Sequence, residues 1–220
     1  MKKTTLLTIV TASCTTLLTS CSDNDDAAYN DVVAELCELH TAAQISDYII
    51  NDRNEKLTFD KPVTLSWASQ ADTLYRALLY YNKPADATTI TPLSLDLVPV
   101  ITPYPKDKTE GWQEMNDAVI LRSAWISKNA RFLNLDIGMK SGTTADNKKH
   151  VIALVADTTL TSGAHSHHKF YFCHSQNGIP AFYTTYTYIS IPVASMPQGD
   201  TVTVSIPTES GWEQKTWVKE

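Results

Sequence analysis

Residues 131–140 read RFLNLDIGMK. After Phe132 the stretch alternates strictly, with Leu133, Leu135 and Ile137 on one side and Asn134, Asp136 and Gly138 on the other. A period of two belongs to a half-buried β-strand, so the first set faces a core and the second faces outward. Six neighbouring runs carry a related signature: AVILRSAWIS, HVIALVAD, HHKFYFCHS, AFYTTYTYISIPV, DTVTVSIP and WEQKTWVK. All are rich in β-branched and aromatic residues and are separated by Asn, Asp, Gly and Pro. Seven candidate strands over residues 118–220 predict an immunoglobulin-like β-sandwich.

Towards the N-terminus the same reading continues. DVVAELCELHTA, QISDYIIND, KLTFDK, VTLSWA, TLYRALLYYN and TPLSLDLVPVIT predict a second all-β unit over residues 29–102. The polar NDRNEK between two alternating arms predicts a hairpin turn. Two runs also fit a helix, since Val32, Leu36, Leu39 and Ala43, or Leu74, Leu78 and Tyr81, can share one helical face. Neither has a helix stop, and their neighbours are strands, so both are expected to be strands. Thr102–Asp117, TPYPKDKTEGWQEMND, breaks the pattern. Pro103 and Pro105 cannot serve a central strand, so 103–117 is read as a linker between two domains.

The first 21 residues, MKKTTLLTIVTASCTTLLTSC, place two lysines before an uncharged apolar run, the layout of a secretory signal over residues 1–20. Leu18-Thr19-Ser20-Cys21 resembles the lipobox of bacterial lipoproteins, which makes Cys21 the lipidated first mature residue. Cys14 competes for that role, but it has Thr11 at the apolar position and a shorter run ahead of it. Residues 21–28 are expected to form an acidic, flexible tether. Ser22, Asp23, Asp25 and Asp26 resemble the surface-export signal of Bacteroidetes lipoproteins; the same composition also serves a plain solvated linker. The expected location is the outer membrane with the protein exposed at the surface, the alternative being a periplasm-facing protein.

Loss of residues 1–20 removes two lysines and no acid, taking the formal net charge from −6 to −8. That disfavours nucleic acid as a partner, because such binding rests on neutralising phosphates. It also leaves acyl chains, rather than a basic patch, as the membrane attachment. With Cys14 lost and Cys21 lipidated, only Cys37 and Cys173 remain to pair, and the sequence leaves that pairing open.

The string AWISKNARFLNLDIGM, followed by KKHVIALVAD and FYFCHSQNG, resembles the NigD-like family of Bacteroidetes lipoproteins. The matching residues are Trp125, Leu133-Asn134-Leu135, Lys149-His150, and His174 with Asn177-Gly178; YRALLYYN, Tyr75–Asn82, fits the first half less distinctively. The resemblance implies an OB-like β-barrel over 29–102 followed by the sandwich. It implies no known chemistry, only association with a bacteriocin locus. One departure is Cys173, where family members often carry a basic residue.

Four of the six histidines lie in AHSHHKFYFCH, Ala164–His174. On a strand, His168 and His174 stand about 20 Å apart, whereas zinc ligands converge at about 2.0–2.3 Å. Only His165, His167 and His168 can meet, and only if the loop bends, so no metal is expected and these three are the weak candidates. His150 and His174 read as structural, hydrogen-bonded histidines. In AFYTTYTYISIPV the Ile/Val end marks Tyr183, Thr185, Thr187, Ile189, Ile191 and Val193 as core-facing. Phe182, Tyr186 and Tyr188 fall on the opposite face, where aromatic rings can stack on a glycan or anchor a protein partner. The alternative for these three is a Tyr/Thr-rich outer sheet or a domain interface. Asp146 and Asn147 offer only a thin calcium loop. No nucleophile elbow, H-E-x-x-H, P-loop or C-x-x-C is present. The expectation is a non-catalytic, cofactor-free binding or accessory module for an envelope protein or glycan, with a bacteriocin immunity factor and an unrecognised hydrolase as alternatives.

Overall fold

Strands β1 (Val32–Thr41), β2 (Ile45–Asn51), β3 (Lys56–Thr64), β4 (Thr73–Asn82) and β5 (Thr89–Leu97) close into a barrel in the order β1–β2–β3–β5–β4. The structure is a computed structural model describing residues 32–82 and 88–220; Cys21, Ser22, Asp23, Asp25 and Asp26 lie outside the described residues. β1 and β4 pair antiparallel from Val32–Asn82 to Thr41–Thr73, and the barrel closes through a parallel β3–β5 contact at Thr58–Thr89 and Phe59–Ile90. The result is a closed five-stranded barrel. Both runs that also fitted a helix are strands, and the residues they give to the barrel core alternate: Cys37 and Leu39 on β1, Ala77, Leu79 and Tyr81 on β4. The KLTFDK and VTLSWA runs are not separate strands, since β3 passes through Pro62 as far as Thr64. The expected turn at NDRNEK is built by Asn51, whose Oδ1 accepts the backbone N–H of Arg53 (3.0 Å) and Glu55 (2.9 Å).

The remaining strands form a two-layer sandwich. β7 (Ile120–Ile126), β8 (Phe132–Ser141) and β11 (Tyr183–Pro192) make one sheet in the order β11–β8–β7. β6 (Pro103–Pro105), β9 (Val151–Ser162), β10 (His165–Ser175), β12 (Thr201–Thr208) and β13 (Gly211–Val218) make the other, in the order β13–β12–β10–β9–β6. Leu133, Leu135, Ile137, Ile189 and Ile191 from the first sheet pack on Leu154, Phe170, Phe172, Val202, Val204 and Ile206 from the second. Each is buried, contributing roughly 1.5–3 kcal/mol of hydrophobic stabilisation.

Two expectations are corrected here. Residues 103–117 are not a linker, for β6 pairs parallel with β9 through Tyr104–Val155. Its two prolines suit this position because an edge strand needs hydrogen bonds on one side only. Further on, Met115 and Asp117 bond the backbone of His174, and Trp112 and Met115 cover the buried Cys173. Second, Asn134, Asp136 and Gly138 do point away from the core, yet all are buried. The barrel and the Tyr186 ring lie over them; a Cβ on Gly138 would come within 2.7 Å of that ring.

Candidate functional site

The two domains meet through a buried polar contact centred on Arg76 of β4. Its side chain is only 1% exposed and donates to both carboxylate oxygens of Asp52 (2.6 and 2.8 Å) at the tip of the β2–β3 hairpin. It also reaches the sandwich, donating to Asn134 Oδ1 (3.1 Å) and Ser190 Oγ (3.1 Å), while its guanidinium lies over the Phe132 ring. A guanidinium presents a rigid fork of donors, so four directed bonds from one group fix the angle between barrel and sandwich. Backbone contacts add to the lock. Asn129 donates to the Asp52 carbonyl (2.8 Å), and Ser190 exchanges bonds with Pro99 and Ile101 where the chain leaves the barrel. Nearby, Glu38 is buried and pairs with Arg131 at 2.8 Å; burial raises its carboxyl above the usual range, against the lowering pull of Arg131.

Beside this contact the surfaces separate into a cleft with two cavities that share Leu78 and Tyr188. The first, about 280 Å³, is walled by Ala34, Leu36 and the hairpin tip on the barrel side and by Trp125 and Lys128 on the sandwich side. Trp125 meets Tyr188 edge to face, with ring centroids 6.1 Å apart. The second, about 410 Å³, lies between Tyr80, Leu97 and Val98 of the barrel and Arg122, Asp136 and Tyr186 of the sandwich. Arg122 bonds Asp136 at 2.7 Å and stacks 4.1 Å above the Tyr186 ring. Three of the four carboxylates around the cleft are tied to guanidinium groups: Glu35 to Arg53, Asp52 to Arg76 and Asp136 to Arg122. A carboxylate held this way is a poor general acid or base, whereas aromatic walls with fixed polar groups suit binding.

Of the three aromatics singled out on and just before β11, the structure brings two together. Tyr186 is 45% exposed and Tyr188 half-buried, and both line the cleft; Phe182, 79% exposed, stands apart with its ring against Gly142. The three weak metal candidates do not converge. His165 and His168 both approach Asp200 (4.0 and 3.0 Å), while His167 bonds Thr203 on the other face. Asp146 sits near Lys148 at 3.6 Å. His174 is buried; its Nδ1 contacts the Asp117 carbonyl (2.9 Å) and its Nε2 contacts Nδ1 of His150 (3.0 Å). Cys37 and Cys173 are free thiols in separate cores.

Residues 102–219 match the model of the NigD-like C-terminal beta sandwich domain. The chain belongs to the NigD-like family. Solved structures extend the likeness across the barrel. A NigD-like immunity protein from Bacteroides caccae covers 87% of this chain and 99% of its own, at 19% identity and a TM-score of 0.63. A proposed toxin-related protein from Parabacteroides distasonis covers 85% and 92%, at 17% identity and a TM-score of 0.62. A proposed lipoprotein from Bacteroides fragilis covers 86% and 98%, at 14% identity and a TM-score of 0.56. At these identities the likeness establishes the NigD-like fold, barrel and sandwich together. Among curated proteins none matches the sequence.

Sequence reasoning missed the residues that hold this NigD-like cleft open. Arg76 lies within the apolar run TLYRALLYYN, and a lone cation in a strand of that kind was the available signal. Arg122, at the register shift beside the Ser123–Asp136 pair, gave a weaker one.

Proposed function

We propose that this NigD-like protein is a lipid-anchored envelope protein that binds a partner in the cleft between barrel and sandwich and performs no chemistry there. The observation that carries this reading is the cleft itself: Trp125, Tyr186 and Tyr188 line it, and a buried Arg76 fixes its width. Preorganised aromatic walls avoid the ordering cost that weakens flexible binding sites. The expected partner is an envelope protein or a glycan. The test is to isolate the tagged full-length protein from its own cells as wild type, Trp125→Ala and Tyr188→Ala. Both variants are expected to lose the co-purifying partner while staying folded by circular dichroism, with the unfolding temperature lowered by only the few degrees that one edge-to-face aromatic pair contributes. Retention of the same partner by both overturns the reading.

The likeness to an immunity protein from Bacteroides caccae supports a second reading, in which the partner is a bacteriocin or its target. Deleting the gene is then expected to sensitise cells to a cognate toxin; unchanged sensitivity overturns it. The run from Lys2 to Cys21, with the likeness to the Bacteroides fragilis protein, supports anchoring through Cys21. Cys21→Ala is expected to release the protein from the membrane fraction. Protease added to intact cells is expected to digest the wild type; protection would put it on the periplasmic side.

A further inference from the structure

We infer that the free edge of β11 between Thr184 and Tyr188 is a strand-addition site for an extended polypeptide segment of the partner, an inference that rests on the binding function proposed above. An exposed strand edge is a row of unpaired N–H and C=O groups, and native proteins usually blunt it with proline, charge or a bulge. Among the described residues the other sandwich edges carry such devices. β6 has Pro103 and Pro105, β7 has Arg122 and a register shift between Leu121 and Ser123, and β13 has Glu213 and Lys215. Where β3 runs on past its short contact with β5, it carries Asp60, Lys61 and Pro62. β11 has none of these over Tyr183–Ile191, and its register with β8 is unbroken from Tyr183–Ser141 to Pro192–Phe132. The stretch YTTYTY has high strand propensity and no charge.

The Ser190 end of this edge already accepts an extended segment through one isolated bridge. Ser190 takes Ile101 N–H on its carbonyl (3.0 Å) and gives its own N–H to Pro99 (2.9 Å), a parallel bridge centred on Val100. Backbone groups on a strand alternate in direction, so Thr184, Tyr186 and Tyr188 present theirs on the same edge as Ser190. No strand pairs with them among the described residues. Tyr188 has only a long contact to its carbonyl, 3.4 Å from the Thr187 hydroxyl. Val98 and Leu97 then swing away into the barrel and leave the 410 Å³ cavity against Tyr186, Thr187 and Tyr188. A strand laid along the edge would continue the pairing begun by Pro99–Ile101 and drop alternate side chains into that cavity.

The lining says what those side chains are. Leu78, Tyr80, Leu97 and Val98 supply apolar walls, Arg122 and Asp136 neutralise each other, and Asp96 at the barrel rim adds an exposed negative charge. The occupant is therefore a segment with apolar residues at alternate positions and no acidic ones.

The test uses the full-length lipoprotein in detergent micelles and a displayed library of random dodecapeptides. Recovered peptides are expected to alternate apolar residues, to lack Asp and Glu, and to protect the Thr184, Tyr186 and Tyr188 amides from hydrogen exchange. Methylating alternate backbone nitrogens of such a peptide should weaken it at least about tenfold, the worth of one or two hydrogen bonds, with the protein unaltered. Tyr186→Pro should abolish binding and Tyr186→Phe retain it. An empty selection, peptides that leave the three amides unprotected, or indifference to methylation each overturn the inference. Protection of these amides in the peptide-free protein as its concentration rises overturns it in favour of a second copy. If the natural partner is lost with Trp125→Ala but kept with Tyr186→Pro, the cleft reading stands and strand addition falls. If peptides protect the edge while Trp125→Ala keeps every partner, the reverse holds.

Discussion

Replacing Arg76 by Met should break the barrel from the sandwich energetically without removing much packing volume. The guanidinium makes four hydrogen bonds, two of them to Asp52, and is 1% exposed. In Arg76→Met the Ser190 hydroxyl still donates to Asn134 Oδ1 at 2.7 Å, so those two groups keep a partner. The loss falls on Asp52, whose side chain is 18% exposed and which retains only a 3.3 Å contact from the Asn134 amide. Stranding one member of a buried pair costs about 3–5 kcal/mol, and partial exposure of Asp52 places this case at about 3. For a chain of this size that lowers the unfolding midpoint by about 6–12 °C. The assay is thermal and urea unfolding followed by circular dichroism, run on wild type, Arg76→Met, Asp52→Asn and the double variant. The double variant should recover about 2 kcal/mol of the summed single losses, because neither charge is then left alone. Single variants within about 0.5 kcal/mol of wild type, or strict additivity, would refute the claim that Arg76 locks the domains.

Three further outcomes follow from buried groups. Arg131→Ala, which strands the buried Glu38 carboxylate, should cost about 1–3 kcal/mol in urea unfolding, whereas Glu38→Gln should cost less because Arg131 is exposed enough to be hydrated. Burial and the neighbouring His174 hold the His150 imidazole below its ordinary value of 6.5. A histidine depressed in the folded state contributes stability above the unfolded value that is lost as pH falls from there through the folded one. The unfolding temperature should therefore fall between neutral pH and mildly acidic pH, and His150→Gln should flatten that part of the curve. Burial pushes the Cys37 thiol up to about 12 and the Cys173 thiol up to about 11, so a thiol reagent at neutral pH should label neither until the protein unfolds.

The strands were legible because their signal is local. A period of two over Leu133, Leu135 and Ile137 needs only a core on one side. The NDRNEK turn needs only an Asn side chain folding back on its own backbone. Residues 103–117 were misread because prolines exclude a central strand but permit an edge, and the partner of that edge, β9, lies some fifty residues downstream. Tyr186 and Tyr188 could be placed on one face together with Phe182. Which of the three looked onto a cleft depended on where the barrel came to rest.

What the sequence determined by itself, then, is the all-β class and the side that β8 and the Ile/Val end of β11 turn to the core. Such properties are carried by residues within a few positions of one another. The docking of the two domains, the burial of Asn134 and Asp136, the role of Arg76 and the unguarded edge of β11 were decided only in three dimensions. Each depends on groups far apart in the chain: Arg76 meets Ser190 across 114 residues. A strand's period gives the direction of a side chain but carries no information about which surface arrives to cover it.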